Sequence, residues 1–401
     1  MMATTQKKLK INLEDIEFTQ AEFEQRVELA RRLLTSYELD ALLVSSEANV
    51  EYFTGFISET WITPTRPFYF YLPREGEPTA IIPAGGEYTW GLSSWVSRVL
   101  TWPAPRPENE GVNEIVAEHL TTNQKYGRLG IEIGPESRIG MPLGDVFRLI
   151  DQLKPVEVAD CSNLCRDLRM IKSDAEVARI SVCCEIASDA FDILPSLVRP
   201  GCTEKDVVGA FQAGMMLAGA DKTPFIGFAA GQGGYQTIIT CPSFREIEEG
   251  DVLVIDTGVR FGGYFCDFDR NVSVGEPSDE AKQMHRLLHR ATEAGIGAAK
   301  PGNTAEDLFL AQAKVLEEEG GVKQNALGRC GHGLGKSLTE WPSNKIGDNT
   351  VLKPGMVMTI EPAAIYGEGM LMVHEENLAI TEDGCRLLSR RASPDMAVAN
   401  W

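Results

Sequence analysis

Acidic residues recur at the ends of apolar, strand-like segments in the second half of the sequence. The segment VLVID ends in Asp256, a Gly-Gly turn signal follows, and the returning segment YFCDFD carries Asp267 and Asp269. A hairpin folded about that turn makes Asp256 and Asp267 near neighbours, and strand alternation puts Asp267 and Asp269 on one face. Carboxylates crowded in this way repel each other and lose solvation, so they need a cation or a shared proton.

Two further acidic segments and one histidine complete the set. The segment MVMTIE ends in Glu361, MVHEENLAIT contains Glu375 and Glu376, and His332 lies in the glycine-rich run GHGLG. Carboxylates with one imidazole form an oxygen-rich donor set, which suits two divalent metal ions such as manganese, iron, cobalt or zinc. Two such ions about 3.5–4 Å apart can activate a water, and this is the chemistry of a metal-dependent hydrolase.

The composition narrows the classes of partner. The chain has 401 residues, of which 43% are hydrophobic and 24% charged, and its formal net charge is −20. That negative charge argues against nucleic acid and anionic membranes as partners, and no segment reaches the roughly 20 apolar residues of a membrane span. The first residues lack the apolar core of a secretory signal, and the cysteines form no C-x-x-C pair. We therefore expect a cytoplasmic protein with reduced thiols.

The first part of the chain has the pattern of an α/β domain. Apolar residues at helical spacing predict an amphipathic helix that buries Phe23, Val27, Ala30 and Leu34. The segments DALLVSS, FYFYLP and TAIIPA predict strands, and the alternation of helix and strand favours a mixed or parallel sheet. We place this domain at residues 1–165. An S-x-x-E capping box at Ser173 then begins a long helix.

The second part contains an internal repeat. The segment RPGCTEKDVV (199–208) matches KPGNTAEDLF (300–309). In each copy Pro-Gly ends one helix, and Thr203 or Thr304 caps the next. This duplication predicts a domain over 166–401 whose two halves are related by a pseudo-twofold axis, with a site between them.

Taken in order, these motifs resemble the creatinase/prolidase family, which includes Xaa-Pro aminopeptidases and methionine aminopeptidases. GDVLVIDTG and YFCDFDR are similar to its D-x-G and Y-x-x-D-x-T-R motifs, GHGLG to its histidine motif, and MVMTIEP and HEENLAITEDG to its two glutamate strands. LDALLVSSEANVEYFTGF resembles the creatinase-type N-terminal domain. The resemblance implies an α/β N-terminal domain, an α+β pita-bread C-terminal domain, a pair of divalent metal ions and a homodimer.

The resemblance also implies roles for single residues. The implied metal ligands are Asp256, Asp267, His332, Glu361 and Glu375. Glu361 would in addition carry protons to and from the reacting water. Glu376 remains a rival to Glu375, because strand parity puts the two on opposite faces and a one-residue slip would exchange them.

Two histidines that the family's peptidases carry are absent. Thr339 stands where the family has the histidine of H-E-x-P, and the run TIITCP ending in Pro242 contains no histidine. The other histidines of the chain are His119, His285, His289 and His374. His374, next to Glu375, is a candidate catalytic imidazole, and packing within its strand is the alternative.

Asp269 is a third departure, because the family usually has threonine at this position. Its carboxylate could orient a ligand, hold a cationic group or act in acid–base catalysis. The alternative is an ion pair with Arg270. Candidate substrate contacts are Trp61, Tyr235, Thr339 and Trp341. In a dimer, Trp61 could reach the site of the partner subunit.

Three functional hypotheses follow. The first is a hydrolase with two divalent metal ions that cleaves a C–N bond in a small dipeptide-like or amide substrate. The second is a creatinase-like hydrolase, or a lyase, acting on a small cationic or zwitterionic molecule such as dimethylsulfoniopropionate. The third is a non-catalytic binding protein on the same fold, which the complete set of ligand residue types argues against.

Overall fold

A computed structural model describes residues 16–199, 201–320 and 328–400 of the chain. The described residues divide into two compact units, Glu17–Arg169 and the residues from Met170 onward, and Ile16 belongs with the second. The proposed domain boundary after residue 165 lies four positions before this division, inside the last helix of the first unit. No helix among the described residues is long and apolar enough to cross a membrane.

The first unit is built on a six-stranded mixed sheet. Its strands are β1 (Ala41–Val44), β2 (Tyr69–Pro73), β3 (Thr79–Pro83), β4 (Val99–Trp102), β5 (Arg128–Ile131) and β6 (Glu157–Asp160), in the order β4-β3-β2-β1-β5-β6. Its helices are α1 (Gln20–Ser36), α2 (Glu47–Thr54), α3 (Glu87–Ser93), α4 (Val112–Thr121), α5 (Leu143–Leu153) and α6 (Ser162–Met170). Short 3-10 helices span Glu59–Ile62 and Ala84–Gly86. The β1–β2 and β2–β3 pairs are antiparallel and the other three are parallel, which confirms a mixed sheet.

Strand β1 is buried on both faces, as its unbroken apolar run predicts. Leu42 and Val44 belong to one apolar cluster, whereas Ala41 and Leu43 belong to another. Helix α1 packs into the first cluster through Val27 and its apolar neighbours at helical spacing. The amphipathic helix predicted from the sequence is therefore confirmed.

Four long helices flank the sheets of the second unit. They are α7 (Asp174–Leu197), α8 (Glu204–Ala218), α9 (Asp279–Ala298) and α10 (Ala305–Gly320). The Ser173 capping box is present, since Ser173 and Glu176 exchange hydrogen bonds at the start of α7. Local side-chain capping of free backbone N–H groups explains why this helix begins where the sequence predicts.

The internal repeat appears as matched helix starts. Thr203 caps α8, and Thr304 precedes α10, where its backbone N donates to Asp307 Oδ2 (2.7 Å) and its hydroxyl accepts from Asp307 N (3.1 Å). Each threonine also forms one isolated antiparallel bridge, Thr203 with Glu246 and Thr304 with Val351. The two copies thus share both cap and bridge. Pro200 of the first copy lies outside the described residues.

Two five-stranded sheets hold the candidate site. The first consists of β7 (Lys222–Gln232), β8 (Asp251–Phe261), β9 (Tyr264–Phe265), β10 (Phe268–Val274) and β18 (Ala397–Ala399). Its strand order is β18-β10-β8-β7, and β9 pairs with β8. The second consists of β11 (His332–Gly333), β12 (Glu340–Ser343), β13 (Val357–Ile360), β16 (Glu376–Ile380) and β17 (Cys385–Leu387). Its strand order is β12-β11-β13-β16-β17. A separate pair joins β14 (Ala363–Tyr366) to β15 (Met370–Val373).

The predicted hairpin forms at the two glycines. Gly262 and Gly263 both have positive φ, 55° and 79°, which only glycine adopts without strain. Phe261 pairs with Tyr264 across this turn, and the register continues to β10. The turn therefore fixes which residues of β8 and β10 lie opposite each other.

Candidate metal centre

Three aspartates meet on the β8–β10 pair. Asp269 on β10 lies directly opposite Asp256 on β8, and Asp267 immediately precedes β10. Directly opposite residues of an antiparallel pair project from the same face, and residues two apart share that face as well. The sequence analysis expected Asp267 as the neighbour of Asp256. The register makes Asp269 the direct partner and Asp267 a diagonal one.

His332 and two glutamates approach from the second sheet. His332 begins β11, Glu361 directly follows β13, and Glu375 directly precedes β16. Ligand atoms of Asp267, His332 and Glu375 lie within 4.8 Å of one another, which is close enough to share a metal ion. Nε2 of His332 is 3.5 Å from Asp267 Oδ2 and 3.5 Å from Glu361 Oε1. The fold thus gathers three candidate carboxylates around the imidazole of His332.

The orientation of His332 is set by its backbone and by its second ring nitrogen. Nδ1 lies 2.8 Å from the Gly333 carbonyl oxygen, so Nδ1 carries a proton and Nε2 faces the carboxylates. His332 N donates to Thr359 Oγ1 (2.9 Å), and that hydroxyl donates to Glu361 Oε1 (3.3 Å). One threonine therefore fixes two candidate ligands. Strand alternation places Thr359 on the face of Glu361, a signal that the sequence analysis missed.

Asn377 holds the backbone of Asp267. Asp267 N donates to Asn377 Oδ1 (3.0 Å), and Asn377 Nδ2 donates back to the Asp267 carbonyl. Asn377 N in turn donates to Ser389 Oγ (2.9 Å). Asn377 was also missed, although it lies two residues after Glu375 and so on the same face of its strand.

Several carboxylate oxygens at the centre have no hydrogen-bond partner among the described residues. They are Oδ1 of Asp256, both oxygens of Asp269 and Oε1 of Glu375. Burial is the largest cause that raises the pKa of each of these three acids well above its ordinary value, and neighbouring carboxylates raise it further. Unpaired carboxylate oxygens beside an imidazole nitrogen are a donor set that fits divalent cations. The residues present therefore match the predicted metal centre.

The negative charge of the neighbouring carboxylates also affects the protonation of His332. Burial opposes its charged form, but Glu361 and Asp267 outweigh burial and raise the pKa of His332. An imidazolium there would offset part of the negative charge when no metal is bound. Because Nε2 cannot hold a proton and a cation together, metal binding must release that proton.

Glu376 points to a different set of partners. It is completely buried and accepts from Arg270 Nη2 (3.0 Å), Arg391 Nη1 (3.1 Å) and Ala392 N (2.9 Å), as well as from the Ser389 hydroxyl. These four donors use the lone pairs of its carboxylate. The neighbouring Glu375, which has an unpaired oxygen within the tight group, is the better candidate ligand.

The alternative ion pair between Asp269 and Arg270 is wrong. Arg270 Nη1 donates to the backbone carbonyls of Asp269 (2.6 Å) and Glu375 (2.9 Å), and Nη2 donates to Glu376. Successive residues of β10 face opposite sides, so the guanidinium lies behind the strand and the Asp269 carboxylate lies in front of it. The Asp269 carboxylate is 1% exposed and lacks an ion-pair partner among the described residues.

His374 is not placed with the carboxylates, which corrects the expectation that it supplies a catalytic imidazole. Its Nε2 accepts from Arg391 Nη1 (3.2 Å), and its Nδ1 donates to Thr292 Oγ1 (3.0 Å), whose hydroxyl donates to Leu288 O (3.0 Å). Burial first, and then Arg391, lower the pKa of His374 well below its ordinary value. It sits next to Glu375 but faces the opposite way, as alternating strand residues do.

His374 forms a cluster with two other histidines. The rings of His285 and His289 lie 5.8 Å and 5.6 Å from that of His374. His285 is 4% exposed, and its Nε2 lies 3.2 Å from the Ser393 carbonyl. Burial lowers the pKa of His285 to about 4, and His289, Arg270 and Arg391 disfavour its charged form further. His119 lies in the first unit against the Tyr71 hydroxyl.

The candidate substrate contacts are dispersed. Tyr235 is buried, and its hydroxyl donates to Asn271 Oδ1 (2.6 Å) and accepts from Val373 N (3.3 Å). Thr339 is exposed, whereas Trp341 is half-buried with Nε1 donating to Thr350 Oγ1 (3.1 Å). Trp61 belongs to the first unit, where its ring packs against two phenylalanines, Phe56 and Phe68. Their contact with substrate therefore remains a prediction.

Two basic residues near the motifs were also missed. Arg329 Nε lies 3.9 Å from Glu361 Oε1. Lys172 Nζ lies 3.0 Å from Glu340 Oε2 in a buried ion pair, with 2% and 7% of the two side chains exposed. Glu340 Oε1 also accepts from Ser337 N (2.9 Å), so this pair holds the loop that follows the histidine motif. The sequence analysis could not find the pair of Lys172 and Glu340 because the two residues are 168 positions apart in the chain.

Comparison with known proteins shows the family of the chain. Residues 178–382 match the model of metallopeptidase family M24, and residues 26–171 match the creatinase/prolidase N-terminal domain. The chain is 31% identical over 261 residues to an Xaa-Pro dipeptidase of Pyrococcus horikoshii, covering 64% of this chain and 73% of that protein. It is 27% identical over 368 residues to an Xaa-Pro dipeptidase of Pyrococcus furiosus, covering 91% and 98%.

Solved structures show the same fold over nearly the whole chain. The prolidase of Pyrococcus horikoshii superimposes with a TM-score of 0.79 at 26% identity, covering 92% of this chain and 99% of that one. Dipeptidase PepE of Mycobacterium ulcerans gives 0.82 at 24% identity, covering 96% and 100%. The chain belongs to metallopeptidase family M24, with the pita-bread fold and a creatinase-type N-terminal domain. It is accordingly a metal-dependent hydrolase.

Proposed function

We propose that this chain uses two divalent metal ions to cleave a C–N bond in a small dipeptide-like or amide substrate. One observation carries the proposal: Asp267, His332 and Glu375 converge within 4.8 Å, and carboxylate oxygens without partners surround them. Such an arrangement is costly unless a cation is bound. The family relatives named Xaa-Pro dipeptidase support a short peptide as the substrate class.

Five side chains would hold the metal ions. We assign Asp256, Asp267, His332, Glu361 and Glu375 as ligands, with manganese, iron, cobalt and zinc as candidate metals. Metal ions bound there supply Lewis acidity and a water of lowered pKa. Glu375 is preferred to Glu376 because the latter is committed to Arg270 and Arg391.

Glu361 is the group best placed to move a proton. Its Oε1 accepts from Thr359, Arg329 lies 3.9 Å away, and 19% of its side chain is exposed. Partial exposure gives this carboxylate a route for exchanging protons with solvent, which a fully enclosed ligand lacks. We therefore assign it as the general base toward the attacking water and the general acid toward the leaving nitrogen.

The absent histidines set an expectation for proline peptides. Thr339 cannot carry positive charge, and His374 is held by Thr292 and Arg391 away from the carboxylates. Losing one donor to a developing oxyanion typically costs about 10²–10³ in rate. We therefore expect Xaa-Pro peptides to be poor substrates compared with the true one.

Asp269 favours a second candidate function. Its buried carboxylate, with neither oxygen paired, could meet a positive charge on the substrate. That chemistry would suit a creatinase-like hydrolase, or a lyase acting on a zwitterion such as dimethylsulfoniopropionate. Product analysis separates the two classes, since hydrolysis adds water across the broken bond and elimination leaves a double bond.

Metal analysis combined with a substrate panel tests the proposal. The chain is stripped with a chelator, reloaded with Mn²⁺ and assayed with Gly-Pro, other dipeptides, creatine and dimethylsulfoniopropionate. Asp267→Ala and His332→Ala should each lose at least one metal ion and nearly all turnover. Full metal occupancy in both variants would contradict the assignment of the centre.

The remaining expectations concern the state of the protein in the cell. We propose a cytoplasmic homodimer in which Trp61 approaches the site of the partner subunit. Light scattering measures the oligomeric state. If a dimer forms, Trp61→Ala should raise KM with little change in metal content, whereas a loss of bound metal would point to a structural role instead.

A further inference from the structure

Asp269 stands out in the centre because neither oxygen of its carboxylate has a hydrogen-bond partner among the described residues. Both of its oxygens lack a hydrogen-bond partner, whereas Asp256 and Glu375 each have one such oxygen. The residue is 1% exposed, so bulk solvent has almost no access to it. A buried carboxylate without a cation or donors costs several kcal/mol.

The nearest polar groups are committed elsewhere. Arg270 uses its guanidinium on backbone carbonyls and on Glu376, behind the strand that carries Asp269. The Tyr235 hydroxyl donates to Asn271 rather than to Asp269. The Asp269 carboxylate thus points toward the candidate metal centre, and no residue that the structure describes donates a hydrogen bond to it.

Asp269 is also correctly placed to share an ion with Asp256. The two residues are directly opposite on β10 and β8. Side chains of such a pair start about 4.5–5.5 Å apart at Cβ and project from one face, so both carboxylates can reach one cation. Asp256 has its own unpaired oxygen at this place.

We propose that Asp269 is an additional metal ligand, which binds the same divalent ion as Asp256. This inference rests on the proposed metal centre and extends it by one residue. Asp269 then adds one more negative charge and one more oxygen donor than the five assigned ligands supply. The consequence is tighter binding of a hard divalent ion at the Asp256 position.

The test is a titration of metal-free protein with Mn²⁺ alone, followed by calorimetry and by the electron paramagnetic resonance spectrum of the bound ion. Asp269→Asn keeps the shape of the side chain and removes its charge. We expect at least a tenfold weaker affinity for one of the two ions and a changed spectrum. Melting of the metal-free variant should occur at or above the wild-type temperature, because an unpaired charge has been removed.

Asp251 provides a matched control on the same sheet. It begins β8 and is fully buried, but its carboxylate is paired with Arg245 at 2.7 Å and 2.8 Å. Asp251→Asn should lower the melting temperature of the metal-free protein and leave the Mn²⁺ affinities within twofold of wild type. Equal weakening by both substitutions would overturn the inference, since charge removal anywhere in the sheet would then suffice.

Asp267→Ala separates failure of the inference from failure of the proposed function. If this variant loses Mn²⁺ while Asp269→Asn binds it normally, Asp269 is not a ligand but the centre stands. If neither variant is affected, both the centre and the inference are wrong. Should Asp269→Asn not fold, Asp269→Thr, with the residue usual in the family, is judged by the same affinities.

Discussion

The adjacent residues Glu375 and Glu376 allow a sharp test, because the same substitution should have opposite consequences at the two positions. Glu376 is fully buried and bridges Arg270 and Arg391 at 3.0 Å and 3.1 Å. Removing one member of a buried ion pair leaves its partner uncompensated and costs about 3–5 kcal/mol. A glutamine still accepts one hydrogen bond, so we expect a value near 3 kcal/mol for Glu376→Gln.

That loss is large compared with the total stability of about 5–15 kcal/mol that folded proteins have. For a unit of this size, 1 kcal/mol moves the melting temperature by roughly 2–4 °C, so Glu376→Gln should lower it by about 6–12 °C. The drop should appear with a chelator present and should persist when metal is added. The drop should not depend on metal because Glu376 pairs with Arg270 and Arg391 on the side of the strand that faces away from the candidate metal centre.

Glu375→Gln should behave in the opposite way. Its Oε1 is buried and has no hydrogen-bond partner in the part of the chain that the structure describes, so replacing the carboxylate by an amide should leave the metal-free melting temperature unchanged or higher. A ligand present at 100 times its Kd stabilises the folded state by about 2.7 kcal/mol, and this metal-dependent gain should shrink in the variant.

Differential scanning calorimetry of both variants, with chelator and with excess Mn²⁺, gives all the required values. Retention of the metal response by Glu375→Gln together with its loss in Glu376→Gln would exchange the two assignments. Equal destabilisation of the metal-free protein by both substitutions would refute the reasoning about unpaired and paired carboxylates.

Three further predictions concern single contacts. Lys172→Met removes the buried ion pair with Glu340 and should cost about 3–5 kcal/mol, and the double variant with Glu340→Gln should recover most of the loss in calorimetry. The pKa of His285 is about 4 in the folded chain against an ordinary 6.5, so the unfolded chain takes up the proton first as pH falls. The free energy of unfolding should therefore fall by about 3 kcal/mol between pH 6.5 and 4. His285→Gln should remove that share of the pH dependence measured by denaturant unfolding, and an unchanged pH dependence would show that other groups cause it. Thr339→His, on an exposed loop position, should raise turnover of Gly-Pro at least tenfold, and unchanged kinetics would remove Thr339 from the site.

Features governed by neighbouring residues were predictable from the sequence. The capping box at Ser173 and the cap at Thr203 depend on side chains three positions away, and both form as predicted. The turn at Gly262 and Gly263 is equally local. Such elements can be predicted from short-range geometry, because the hydrogen-bond donor and acceptor are only a few positions apart in the chain.

Local geometry was not enough to predict which residues form the candidate metal centre. Strand alternation correctly opposes Glu375 to Glu376, but it does not say which of them faces the metal. That choice depends on Arg270, which lies 106 positions before Glu376, and on Arg391, which is 15 positions after it. The expectation for His374 was wrong for the same reason, since Thr292 lies 82 positions away on helix α9.

The alternation of β10 and of the segment entering β16 divides the charges of this centre into two layers. Asp267, Asp269 and Glu375 lie on the face of the candidate metal centre, whereas Arg270 and Glu376 pair on the opposite side. Arg270 also binds the backbone carbonyls of Asp269 and Glu375, so it fixes the strands from behind. Its charge lowers the pKa of Asp269, against the larger effect of burial. Breaking the paired layer should therefore destabilise the folded state, whereas the other layer remains available for cations. Because a strand cannot exchange its faces without shifting every side chain, a substitution in one layer should leave the property of the other largely intact.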